Sequence, residues 1–242
     1  MNRKPYLREI SISHDLIPSN EEYPFNIPAL KSIPALQFHQ DVTFIVGENG
    51  SGKSTLVEAI ALGLGFGQEG GTKNVQFSTH NNASRLHEYV RFVKSYKLPD
   101  DYYFLRAESF YNVATYMEET NYLQGYGGSL HNRSHGEAFL VTLTKKLKGR
   151  GLYIFDEPEA ALSPTRQLTA LAAIDQLVKN HSQLIIATHS PILLAYPNAV
   201  IYQLDENGIA KVSYEETPQY QITKRFLNDH QRMVGMLLDD QH

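Results

Sequence analysis

Eight residues constrain this chain more than any others. Gly47-Glu48-Asn49-Gly50-Ser51-Gly52-Lys53-Ser54 fits the glycine-rich phosphate-loop pattern at every fixed position. Before it, Val42 to Val46 is a compact apolar, β-branched run of the kind that forms a buried strand. After it, Lys53 to Leu64 has a helical pattern that ends in glycines. Strand, tight loop and helix in that order turn successive backbone N–H groups into one concavity, where the helix N-terminus adds a partial positive charge. The residues expected to form this cradle are Gly47, Glu48, Asn49, Gly50, Ser51, Gly52, Lys53, Ser54 and Thr55. In such a loop Lys53 reaches the β- and γ-phosphates of a nucleotide and the Ser54 hydroxyl ligates Mg²⁺.

A second element complements the first. Leu152-Tyr153-Ile154-Phe155 reads as a buried strand that ends in two carboxylates, Asp156 and Glu157. Ligands of open α/β sheets sit beyond the carboxyl ends of the strands, so Asp156 falls beside the phosphate loop if the two strands are near neighbours. Asp156 is then expected to hold Mg²⁺, and Glu157 to orient and deprotonate an attacking water. The next strand, Leu184-Ile185-Ile186-Ala187, ends in Thr188-His189-Ser190. His189 leaves the sheet on the same side, where an imidazole can contact the γ-phosphate and the water. The chain has 10 histidines, so position and not residue type carries that reading. The expected catalytic set is Lys53, Glu157 and His189.

The rest of the chain reads as one α/β domain over residues 1–242. Tyr6 to Ile12 alternates, then Pro18, Pro24, Pro28 and Pro34 exclude long helices and favour edge strands and turns. A helix from about Ala83 to Ser95, capped by Asn82, is expected next, then a strand over Asp101 to Arg106 and a helix over Phe110 to Glu119. A Gly-rich loop spans Tyr122 to His131, and a helix runs from Ser134 to Leu147. Ser163-Pro164 and Ser190-Pro191 are each a cap followed by a first-turn proline. The first of these helices runs to about Lys179. Asp205-Glu206-Asn207-Gly208 signals a hairpin, and the stretch from Gln219 is amphipathic. Strands alternating with helices after residue 40 predict a mostly parallel core sheet, with an antiparallel β portion at the start of the chain.

Composition excludes several classes. The chain has no cysteine, which removes disulfides, zinc–thiolate sites and thiol nucleophiles. The net charge of -4 does not favour a nucleic-acid partner. Arg85, Arg91, Lys94 and Lys97 form either a local basic strip or a solvated helix face. No stretch approaches the ~20 apolar residues of a membrane span, and the first residues lack a signal-peptide core, so a cytoplasmic location is expected.

Phosphate loop, acidic pair and histidine in this order resemble an ABC-type ATPase. Ser134-His135-Gly136-Glu137 opens the helix before the Asp156 strand, where that class carries its signature, commonly Leu-Ser-Gly-Gly-Gln. Here Arg133 replaces the Leu, His135 one Gly, and Glu137 the Gln. The resemblance implies an α/β P-loop NTPase fold of the ABC-ATPase head kind, with a short helical subdomain at about 110–148 that carries the signature. It also implies ATP and Mg²⁺ as ligands, with Ser134, Gly136 and Glu137 binding the nucleotide of a second copy in a head-to-tail homodimer. The Gly47 to Ile60 stretch and Asp156-Glu157-Pro158-Glu159-Ala160-Ala161-Leu162 look like SMC and RecF heads. Thr188 to Tyr196 is similar to stand-alone bacterial ATPases of AAA or OLD-like type. ABC proteins place a glutamine after the strand before the insertion. Glu108 or Ser109 stands there, with Gln76 a competitor, and Glu108 is the residue expected at the metal. In transporters an aromatic before the phosphate loop stacks on adenine. Tyr23 and Phe25 are the candidates, with a core role as the alternative for either.

Only 24 residues separate Ser109 from Ser134. That is short for the helical subdomain with which transporter ATPases grip membrane partners, and far short of coiled-coil arms. The expected activity is ATP hydrolysis by a dimerising switch for an effector protein partner. The alternatives are a transporter subunit and a DNA-repair-type ATPase head.

Overall fold

Apolar alternation and β-branched runs assemble two sheets. The computed structural model describes residues 4–31, 33, 35–73, 84–120, 126 and 133–239. In chain order the strands are β1 (Leu7–Ile12), β2 (Leu36–Gln37), β3 (Val42–Gly47), β4 (Val90–Lys94), β5 (Asp101–Arg106), β6 (Gly151–Asp156), β7 (Gln183–Ala187), β8 (Val200–Asp205) and β9 (Gly208–Val212). The helices are α1 (Pro28–Lys31), α2 (Lys53–Gly63), α3 (Phe110–Glu119), α4 (His135–Val141), α5 (Pro164–Lys179), α6 (Pro191–Leu194), α7 (Pro218–Asn228) and α8 (His230–Asp239).

The larger sheet has the order β5-β6-β7-β3-β8-β9. Its first five strands run parallel, and β9 returns antiparallel through the Asp205–Gly208 hairpin. β3, β6 and β7 are buried along their whole length, as sandwiched parallel strands must be. Alternate residues feed two cores. Ile45, Leu152, Ile154 and Ile185 face α2 and the N-terminal strands. Phe44, Tyr153, Phe155 and Ile186 face α3, α4 and α5. The smaller sheet, β2-β1-β4, is antiparallel, in line with the expected β portion at the start of the chain.

The helix expected from Ala83 to Ser95 does not form. Asn82 and Ala83 lie outside the described residues, as do Gln76, Pro34 and most of the Tyr122 to His131 loop. Ser84 caps a single 3-10 turn, Arg85–Tyr89, and the chain then runs on as β4. Val90, Phe92 and Val93 suit a pleated surface, and β1 offers them a partner, with Ile12 opposite Val90 and Ile10 opposite Phe92. Strand pairing overrides the helical period. The basic strip changes with it: Arg85 pairs with Glu88 at 3.0 Å, while Arg91 and Lys94 stand on an edge strand, where charge discourages pairing with another chain. The helix from Ser134 also ends early, at Val141, and continues as one π-helical turn through Lys146.

Gln183 joins the two sheets. Its buried side-chain amide donates to the Leu7 carbonyl at 2.8 Å and to the His39 carbonyl at 2.9 Å, and its carbonyl accepts from the Leu7 N–H at 2.9 Å. At the surface, α7 and α8 expose Ile222, Phe226, Leu227, Val234, Met236, Leu237 and Leu238. No helix among the described residues is long and apolar enough to cross a membrane.

Replacing Gln183 by Leu orphans two buried backbone groups of Leu7 and the half-buried His39 carbonyl. The expected cost is about 2–5 kcal/mol in chemical denaturation. A change below about 1 kcal/mol would show that the amide does not tie β1 to β7.

Candidate functional site

The site is built where β3, β7 and β6 end side by side. Asp156 is in register with Ala187 of β7, and Ala187 with Ile45 of β3. β3 turns directly into the phosphate loop. Gly47 must be glycine there, because a Cβ would lie 2.5 Å from the Leu204 carbonyl oxygen and from Ser51 Oγ. Gly52, in the left-handed region at φ 97°, starts α2. The loop thus wraps tightly enough to present backbone donors.

Two side chains of the loop turn inward. Lys53 is buried, and its ammonium donates to the Glu48 carbonyl at 3.0 Å. Burial lowers its pKa, opposed by Glu157, Asp156, Glu48 and Glu159. Ser54 Oγ donates to Asp156 Oδ1 at 3.1 Å, so one intervening strand does not separate the loop from the acidic pair. Asp156 is buried, and its carboxyl is pushed up to about 6, first by desolvation and also by Glu157, against the pull of Arg106, Ser54 and Lys53. A cavity of about 510 Å³ opens here, lined by Ser54, Thr55, Glu58, Arg106 and Glu108 among others. A second, of about 470 Å³, lies between residues 48–51 of the loop and the β8–β9 turn.

Glu157 adopts the left-handed conformation, φ 51° and ψ 52°, with its N–H on the Ala187 carbonyl at 2.9 Å. Few non-glycine residues accept that backbone, and the turn it makes sends the side chain away from the strand line. His189 Nε2 stands 3.5 Å from Glu157 Oε1 and is buried without a hydrogen bond. Glu159 fixes that loop, accepting from Thr188 Oγ1 at 2.7 Å and from the His189 N–H at 2.5 Å.

The donor set fits a nucleotide with its cation. Ser51 Oγ is buried with no partner, and the loop ends in an ammonium and a hydroxyl. Among the described residues no group of three or more His, Cys, Asp or Glu could hold a metal by itself. One carboxylate and one hydroxyl are what Mg²⁺ uses when phosphates and water complete its shell.

The other expected residues are placed as follows. Glu108 lines the 510 Å³ cavity, largely exposed, and pairs with Arg106 at 3.4 Å. Ser109 is buried and donates to the Glu69 carbonyl at 2.7 Å, so its hydroxyl is committed to the fold. Phe25 is core, edge-on to Tyr89 at 5.2 Å, whereas Tyr23 is exposed with its hydroxyl 3.2 Å from Thr55 Oγ1. Ser134, Gly136 and Glu137 line neither cavity. Ser134 and Glu137 form a capping box, each accepting from the other's N–H, and Arg166 bridges both side chains at 3.1 Å. Gly136 is buried against the turn that follows Glu157, and a Cβ there would lie 2.5 Å from the Ala161 carbonyl oxygen.

Glu58 and Arg106 were not anticipated. Glu58 is a charge on an apolar helical stretch four residues after Ser54, and Arg106 ends a strand in register with Asp156. Either oddity marks a buried ion pair.

The family model described as an AAA domain matches residues 29–207. The chain belongs to the AAA domain family. No curated protein matches this AAA-domain chain. Solved structures similar to it include an SMC head domain from Thermotoga maritima, at 16% identity over 86% of this chain and 99% of that one, with a TM-score of 0.47. Another is cbiO1 from Clostridium perfringens, part of the ABC transporter complex cbiONQ, at 19% identity, 85% and 90% coverage and a TM-score of 0.46. A third is the SmcHead bound to the C-winged helix domain of ScpA, at 13% identity, 86% and 98% coverage and a TM-score of 0.47.

Asp156 sets a pH dependence. Its carboxyl is raised in the folded chain, so between about pH 4 and 6 the folded state holds a proton that the unfolded state has lost. Stability is therefore gained as pH falls through 6 and lost as pH rises. The rise from 3.8 to about 6 corresponds to about 3 kcal/mol of strain at neutral pH. Asp156→Asn should melt higher than wild type at pH 7 without nucleotide, and lose the gain that wild type shows on going to pH 5. A lower melting temperature at pH 7 would contradict the assigned burial cost.

Proposed function

We propose that this chain binds ATP with Mg²⁺ and hydrolyses it as an ABC-type ATPase, its composite sites forming in an ATP-induced homodimer that acts as a switch for a protein partner. The observation that carries the reading is the delivery of the phosphate loop, His189 and the Asp156–Glu157 pair to one sheet edge by β3, β7 and β6. Strands lie about 4.8 Å apart, so β3 and β6 are separated by about 10 Å, room for a phosphoryl group and a water between loop and base.

The roles follow from the positions. The loop backbone and Lys53 hold the β- and γ-phosphates and draw charge toward the bridging oxygens. Ser54 and Asp156 would hold Mg²⁺, which supplies positive charge against the phosphate oxygens. Glu157 orients the water and takes its proton. His189, with a free ring nitrogen beside Glu157, steadies the water and the γ-phosphoryl oxygens. Tyr23, exposed beside Thr55, is the remaining aromatic candidate to stack on adenine.

Two observations support dimerisation. The capping box of Ser134 and Glu137 is exposed and lies away from the chain's own phosphate cavities, so a phosphate there would belong to a second copy. The close packing of Gly136 on the turn after Glu157 ties that helix to the catalytic carboxylate. The apolar side chains exposed on α7 and α8 support a protein partner.

Glu157→Gln should lower turnover by about 100-fold or more while retaining ATP. In light scattering it should become a dimer only with Mg-ATP, and wild-type specific activity should rise with protein concentration. A variant that stays monomeric with ATP, alongside concentration-independent activity, would leave a P-loop ATPase with sites in single chains.

A further inference from the structure

Among the described residues, Arg106 is the one cation outside the phosphate loop that forms an ion pair with Asp156, the proposed metal-binding carboxylate. It ends β5, in register with Asp156, and is largely buried. Its Nη1 donates to Glu58 Oε2 at 2.7 Å, its Nε faces Asp156 Oδ2 at 3.8 Å, and its Nη2 faces Glu108 Oε2 at 3.4 Å. Glu58 is buried on α2, one turn beyond Ser54, and its other oxygen accepts from the Ser84 N–H at 3.1 Å. The guanidinium is thus held from behind by α2 and presents one edge to Asp156.

The two oxygens of Asp156 are divided by this arrangement. Oδ1 meets Ser54 and Oδ2 faces Arg106. We infer that the Glu58–Arg106 pair is a positioning device for the metal site: its guanidinium, fixed by Glu58, attracts Asp156 Oδ2 across 3.8 Å, so that Oδ1 stays turned toward Ser54, where a divalent cation would sit. The inference rests on the Mg²⁺–nucleotide reading of the site. A planar, rigid guanidinium can hold two carboxylates in fixed directions at once, and an ammonium cannot. Partners behind a metal ligand commonly govern affinity as strongly as this role requires.

The sign of the effect separates positioning from charge. By Coulomb attraction and repulsion alone, removing a cation beside a divalent-metal site tightens metal binding. Losing the positioning weakens it. The experiment measures Mn²⁺ binding by the loss of its free electron-paramagnetic-resonance signal, with a nonhydrolysable ATP analogue present. Binding of the same analogue in EDTA is measured beside it. Arg106→Met leaves Glu58 buried and unpaired, so the Glu58→Gln/Arg106→Met double variant is run with it, each checked by thermal melt. Both variants, and Arg106→Lys, should raise the Mn²⁺ concentration for half-saturation by at least about tenfold, with nucleotide affinity in EDTA unchanged. Unchanged or tighter Mn²⁺ binding in a folded variant overturns the positioning role, as does an Arg106→Lys variant that matches wild type. A wild-type protein that takes up nucleotide in EDTA but no Mn²⁺ with it overturns the metal site itself.

Discussion

Three parallel strands end on one line across the large sheet, Arg106 of β5, Asp156 of β6 and Ala187 of β7, and that line meets β3 at Ile45, two residues before β3 ends at Gly47. Everything at the site depends on that register. A one-residue slip of β6 would exchange its two faces, putting Tyr153 and Phe155 on the α2 side and taking Asp156 away from Ser54. The register is enforced by apolar packing. Both faces of these strands are buried, so a slip would break two cores at once. The arrangement of the candidate site is thus a by-product of hydrophobic matching far larger than any contact within it.

The site also stores unfavourable energy. Burial pushes the Asp156 carboxyl up to about 6 and lowers the Lys53 amine, and Glu157 holds a left-handed backbone. His189 Nε2 and Ser51 Oγ are buried without a hydrogen bond. Each group is costly to a fold on its own, and strain and perturbed ionisation of this kind cluster at functional sites. Such features cluster at the strand ends, while the cores behind them are ordinary and well packed.

Glycine records a second coupling. Gly136 lies where α4 crosses the turn after Glu157, with no room for a methyl group. The helix that carries the signature-like residues therefore cannot move relative to the acidic pair without the turn moving too. Arg166 adds to this by bridging Ser134 and Glu137 from the start of α5.

The phosphate loop, the strands β3, β6 and β7, the acidic pair and the hairpin were legible from the sequence alone. Each is a local pattern, set by glycine stereochemistry, by runs of β-branched residues, or by charge at the end of an apolar segment. Three things were not legible there. The stretch after Ser84 looked helical, yet it is a strand, because pairing with β1 outweighs a period read over a few residues. Tyr23 and Phe25 were equivalent as aromatics until folding buried one against Tyr89 and left the other at Thr55. Arg106 and Glu58 are 48 residues apart and meet only because β5 and α2 pack about the same strand end. Sequence determined which groups could bind phosphate, since that depends on neighbouring residues in the chain. Tertiary structure decided what surrounds them, because burial and ion pairing depend on residues that only the packed sheet brings within a few ångströms.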